Sequence, residues 1–205
     1  MDHAIIWDAE FLTAPGAPQR FWCGPHDPDP VLFQIGAVRL GLSGAFDLGA
    51  RFECVVIPRD RQGKPYPISE FVTRLTGITP ARLAADGLEL PDALKRFDAF
   101  TEEASIWAWG TDELNAIAVT CYLAGRLAPI PAKRFGNAPK LFVNAGIPLD
   151  DIHSLRSNTL CDYFGLAQPE ARAHDALSDA TGTAIALQYL LREARLRPAD
   201  FTLPS

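Results

Sequence analysis

The sequence predicts an α/β protein, a single domain over residues 1–205 with a mixed central sheet flanked by helices. Three observations lead there. Three strand-type segments fall before residue 58. From Ile68 onward the apolar period lengthens from two to about 3.6 residues. A short aromatic strand around Trp107 then stands between helical stretches. The order of three strands, helices, one strand and helices again suits a sheet with helices packed on its faces.

The first strand is residues 4–11, where Ile5, Ile6 and Trp7 mark a core strand that ends in Asp8 and Glu10. Residues 12–31 hold Pro15, Pro18, Pro25, Pro28 and Pro30, which rules out a helix or a central strand and predicts a loop. Its Phe21, Trp22 and His26 are read as pins of that loop to the body, with stacking on a base as the alternative. Strands two and three follow at 32–40 and 50–57, joined by a turn carrying Gly41, Gly44 and Gly49. Residues 68–77 form a helix closed by glycine, and a second helix begins with Thr79 as cap and Pro80 at its first position. A third covers about 91–103, with Leu94, Phe97 and Phe100 on one face. The aromatic strand 105–109 turns at Gly110 into a helix from Asp112 to about Leu127. Residues 128–148 are read as a loop whose Lys133, Arg134 and Lys140 make it the most basic stretch, and a helix follows over 155–164. The last helix begins after His174 and runs to about Arg197.

Composition narrows the function classes. A chain of 205 residues that is 48% hydrophobic and 21% charged can bury a full core. The net charge of −6 argues against a generic polyanion-binding surface, yet a nuclease that gathers carboxylates for metals is acidic where it works. Cys23, Cys54, Cys121 and Cys161 are scattered without paired spacing, so free thiols are expected rather than a zinc site or a disulfide framework. Neither a signal peptide nor a membrane span is visible, and the expected setting is cytoplasmic.

Asp8 and Glu10 carry the chemistry. Alternate side chains of a strand share a face, so both project together from the end of a buried strand. Two desolvated like charges repel, and a bound Mg²⁺ or Mn²⁺ relieves both costs. Further acids recur at Asp112 and its neighbour Glu113, either of which could be the next ligand. They recur again at Asp175 and Asp179, four apart and therefore on one helical face.

Together these residues resemble a known family. Asp8-x-Glu10, Asp112 at a strand-to-helix turn, and His174-x-Ala176-x-x-Asp179 look like the three motifs of the DEDDh 3′–5′ exonucleases. The run Phe71, Leu75, Thr76, Gly77, Ile78 is similar to a stretch between the first two motifs in many members. With the Trp109-Gly110 pair and Cys121, it is most similar to the branch that trims RNA 3′ ends. One departure is that Phe11 and Leu12 follow the first motif, where many members carry Thr.

The resemblance implies the ribonuclease-H-like fold and two divalent ions, Mg²⁺ or Mn²⁺, held by Asp8, Glu10, Asp112 and Asp179. It also implies His174 as the base and a partner that is single-stranded RNA or DNA with a free 3′ end. Phe11, Leu75 and Thr76 are the substrate contacts it suggests. Asp112, rather than Glu113, matches the family's distance to Cys121. On an ideal helix five residues turn through about 140°, so His174 and Asp179 cannot both face the ions from one regular helix, and His174 is expected on a loop before it.

Overall fold

His3–Phe11 forms the strand β1, buried along both faces except at its ends. The computed structural model describes residues 2–168 and 172–204. Among these, Leu32–Gly41 is β2, Leu48–Val56 is β3, Gly87–Leu88 is β4, Ile106–Ala108 is β5 and Phe135–Asn137 is β6. They make one sheet in the order β4-β3-β2-β1-β5-β6. β2 pairs antiparallel with both β1 and β3, whereas β5 runs parallel to β1, β6 parallel to β5, and β4 parallel to β3. The mixed sheet expected from the sequence is therefore present.

Helices cover both faces. They are α1 (Glu70–Thr76), α2 (Pro80–Asp86), α3 (Leu90–Thr101), α4 (Asp112–Leu123), α5 (Pro139–Asn144), α6 (Leu149–Ser154), α7 (Leu160–Phe164) and α8 (Ala176–Arg192). Strand alternation divides β1 between two cores. Ala4 and Ile6 join Leu187 and Leu190 of α8 and Phe142 of α5. Ile5, Trp7 and Ala9 join Leu94 and Phe97 of α3 and Ile117 of α4. By the same parity Asp8 and Glu10 fall on the α8 face.

The local signals for α1 and α2 work as read. The Ser69 and Thr79 side chains accept from Val72 N–H and Arg82 N–H, Pro80 opens α2, and Gly77 closes α1 at φ 72°. Only glycine takes that left-handed conformation without steric cost.

Several boundaries differ from expectation. β4 and β6 were not foreseen, because strands of two and three residues are defined by pairing with a neighbour rather than by their own pattern. Residues 128–148 are not simply a loop: they contain β6 and α5 and lead into α6, with Pro139 in the first turn of α5 and Pro148 as the α6 cap. Proline is tolerated in a first turn, where its missing N–H has no partner to lose. The segment expected as one helix over 155–164 begins with a 3₁₀ turn, Ser157–Thr159, before α7. α4 ends at Leu123 and α8 at Arg192, each short of the length expected. All four cysteines are free thiols. Among the described residues no helix is long and apolar enough to cross a membrane.

Candidate functional site

Asp8 and Glu10 lie opposite Gly36 and Gln34 of β2. Both positions on β2 serve the approach of α8. A Cβ at Gly36 would stand 2.1 Å from Leu177 N, so only a bare backbone lets the first turn of α8 sit against the sheet there. Gln34 is fully buried, its Oε1 accepts from Ala176 N–H at 3.2 Å, and its Nε2 donates to Asp175 Oδ2 at 3.4 Å and Glu53 Oε1 at 3.0 Å. The start of α8 is thus bolted to the strand beside the acids. Sequence reasoning missed Gln34, although an amide inside an otherwise apolar strand was the visible signal.

α8 delivers Asp179, which is 5% exposed, and its Oδ2 accepts the His174 backbone N–H at 3.2 Å. His174 precedes the helix, as its distance from Asp179 required, in a turn with φ 57°. Histidine is among the residues enriched in that left-handed region. A ring nitrogen of His174 and carboxylate oxygens of Glu10 and Asp179 all lie within 4.8 Å of one another. Asp175 serves the helix instead. It is the α8 cap, its Oδ1 accepting from Ser178 N–H at 3.0 Å.

α4 delivers the remaining acid, and here the neighbours Asp112 and Glu113 part company. Asp112 is exposed, whereas Glu113 is 7% exposed and its Oε2 is buried without a hydrogen-bond partner among the described residues. Successive helical residues are about 100° apart, so one of the pair can face inward. Glu113 lies in the middle of the stripe formed by Ala116, Ile117, Thr120 and Cys121, all buried. That stripe was legible in the sequence and was the signal that separates Glu113 from Asp112.

The electrostatics identify which acids lie together. Burial first, then Glu113, Glu10, Asp179 and Asp175, hold the Asp8 carboxyl well above the usual carboxylate range. Glu10 is pushed up to about 8 by burial and by Asp179, Asp175 and Glu113. Burial carries Glu113 to about 8, with Asp112 adding to it. Burial raises Asp179 to about 7, with the His174 amide opposing and Asp175 assisting. Among the described residues no lysine or arginine relieves any of the four. The structure therefore brings Glu10, His174 and Asp179 together, places Asp8 on the same face of β1 with Glu113 buried near enough to raise it, and leaves Asp112 at the surface.

Such a donor set fits hard divalent cations. It offers carboxylate oxygens from β1 and α8 beside the His174 imidazole, and a buried acceptor on Glu113 of α4 that no described protein donor satisfies.

Of the expected substrate contacts, Phe11 directly follows Glu10 and meets Trp22 edge-on at 5.4 Å. Trp22 Nε1–H donates to Thr13 Oγ1 at 3.1 Å, so Trp22 pins the proline-rich loop, while Phe21 is 82% exposed and pins nothing. Leu75 is half-buried in α1. Thr76 is buried, and its hydroxyl donates to Val72 O at 3.0 Å and accepts from Ile78 N–H at 3.2 Å, leaving that side chain committed to its own helix end.

No family model and no curated protein sequence matches the chain. Solved structures do. The nuclease domain of 3′hExo, described as a DEDDh family member bound to rAMP, superposes with a TM-score of 0.72 at 17% identity, over 99% of this chain and 97% of that one. The fold is the ribonuclease-H-like fold of these exonucleases. Cell-death related nuclease 4 shares this ribonuclease-H-like arrangement at a TM-score of 0.69 and 18% identity, over 94% of this chain and 64% of that one. E. coli exonuclease I in complex with a dA16 oligonucleotide does so at 0.61 and 19%, over 94% of this chain and 41% of its own.

Proposed function

We propose that the chain is a metal-dependent 3′–5′ exonuclease, hydrolysing phosphodiester bonds from the 3′ end of single-stranded nucleic acid, with RNA favoured over DNA. The observation that carries this reading is the convergence of Asp8, Glu10, Glu113 and Asp179 from β1, α4 and α8, all buried and none offset by a cation among the described residues. Keeping four acids so close costs stability unless something cationic binds among them. The solved structures of similar fold support the substrate class: one holds rAMP, one concerns recognition of a histone mRNA stem-loop, and one holds single-stranded DNA.

Asp8, raised by burial and then by Glu113, Glu10 and Asp179, would be one of the residues that hold the ions. Glu10, Asp179 and Glu113 would supply the other carboxylate ligands. In this reading Glu113 takes the place expected from the sequence for Asp112, which is exposed. Two divalent ions held there, Mg²⁺ or Mn²⁺, would supply a water of lowered pKa and charge stabilisation on the leaving 3′ oxygen. His174 takes the proton of the attacking water, a role suited to an imidazole, and Asp179 holds the turn that carries it through the 3.2 Å backbone bond. Phe11 and Leu75, half-buried, offer apolar surface to an unstacked terminal base.

Product analysis tests this. With Mn²⁺, 5′-labelled single-stranded RNA and DNA should give a ladder shortening one nucleotide at a time from the 3′ end, faster on RNA, and chelator should stop it. Internal fragments at early times would identify an endonuclease on the same fold, and no product from any oligonucleotide would refute the assignment.

A further inference from the structure

A cavity of about 560 Å³, separate from the acid cluster, opens along β6 and is walled by Trp7, Trp107, Phe135 and Leu141. Its volume is in the range of small-molecule sites. Its polar lining includes two lysines, two asparagines and Asp200, whose carboxylate accepts the Arg197 N–H at 2.7 Å. Asn137 lines it, and Asn137 Oδ1 is buried without a hydrogen-bond partner among the described residues. A ligand that drew this amide toward the cavity would meet an acceptor and a donor side by side. That is the pattern with which an amide reads the edge of a nucleobase.

Two lysines, Lys133 and Lys140, stand in the same lining, both exposed. Neither forms an ion pair among the described residues. Their neighbour Arg134 is fully engaged in the fold, donating to Asp98, Thr101 and Ala104, so the basic stretch divides into one structural and two free cations. Gly110 and Thr111 also line the cavity and lead directly into Asp112 and Glu113, which joins this space to the catalytic side of α4.

We propose that this cavity binds one nucleoside monophosphate unit, its base against the Asn137 amide and the apolar walls and its phosphate on Lys133 and Lys140. That the unit belongs to the strand being cut rests on the exonuclease reading; the fit to a nucleotide does not. A free mononucleotide has the same chemistry.

The test uses the full chain in chelator, which removes the divalent ions that would draw phosphate to the acids. Binding of AMP and of ribose 5-phosphate is followed by tryptophan fluorescence and calorimetry. AMP should bind more tightly than ribose 5-phosphate, Asn137→Leu should erase that advantage, and the Lys133→Ala, Lys140→Ala double variant should weaken both ligands by roughly tenfold. Equal binding of the two ligands by the wild type, or AMP binding indifferent to all three substitutions, would overturn the proposal. With Mn²⁺, a raised KM for long oligonucleotides but not for a dinucleotide in the lysine variant identifies the occupant as a strand unit. Unchanged KM values beside lost AMP binding identify a free nucleotide. A chain that binds AMP in this way and hydrolyses nothing keeps this inference and loses the exonuclease reading, and an active chain indifferent to AMP does the reverse.

Discussion

Glu10 and Glu113 titrate at about 8 in the folded chain against an ordinary value of 4.5. Between those values the folded protein holds protons that the unfolded chain has released, so stability is present below about pH 4.5 and is lost as pH rises toward 8. The metal-free protein should therefore melt at a temperature that falls by several degrees between about pH 5 and 8. Divalent ions should reverse the trend, because they bind the ionised acids. Glu113→Gln, which fixes a neutral group in that place, should flatten the apo slope; a melting temperature that rises with pH in the chelated wild type would contradict the burial described. At the same scale, His174 and Asp175 have separable roles. His174→Ala should lower the rate by roughly 10²–10⁴-fold with metal affinity retained, since only proton transfer is lost. Asp175→Asn keeps a side-chain oxygen to cap Ser178 N–H and should change the rate little. Weakened metal binding in Asp175→Asn, beside a mild effect of His174→Ala, would exchange the two assignments.

The elements that matter most are β2 and the first turn of α8. Gly36→Ala pushes a methyl into the backbone of Ala176 and Leu177, which cannot rotate away as a side chain would. The cost should be at least about 1–3 kcal/mol, with activity falling alongside. Gln34→Leu keeps much of the volume but removes the three hydrogen bonds that tie Ala176, Asp175 and Glu53 to the strand. Its cost should be about 1–3 kcal/mol, read by thermal or urea unfolding. Wild-type activity in Gln34→Leu would show that the helix start is positioned by packing alone. This joint also marks where sequence reading stops. Alternation placed Asp8 and Glu10 on one face, and the spacing from His174 to Asp179 placed the histidine ahead of the helix, because both are local geometry. What β2 presents to α8, across the 142 positions separating Gln34 from Ala176, is a tertiary matter with no local trace.

Across the whole molecule, the order of strands and helices was enough to give a mixed sheet with helices on its faces, and the sheet has that form, with a core on each side. The short edge strands β4 and β6 escaped notice because two or three residues carry no period of their own. The choice between Asp112 and Glu113 depended on how α4 is rotated against the sheet. Spacing to Cys121 favoured Asp112, whereas the buried stripe of the helix holds Glu113. Four buried carboxylates, Glu113 among them, are proposed to make a site for two divalent ions. Mn²⁺ titration by electron paramagnetic resonance tests it most directly: the account predicts two bound ions per chain in the wild type and in Asp112→Asn, and loss of at least one in Glu113→Gln. Two ions retained in Glu113→Gln with one lost in Asp112→Asn would contradict it.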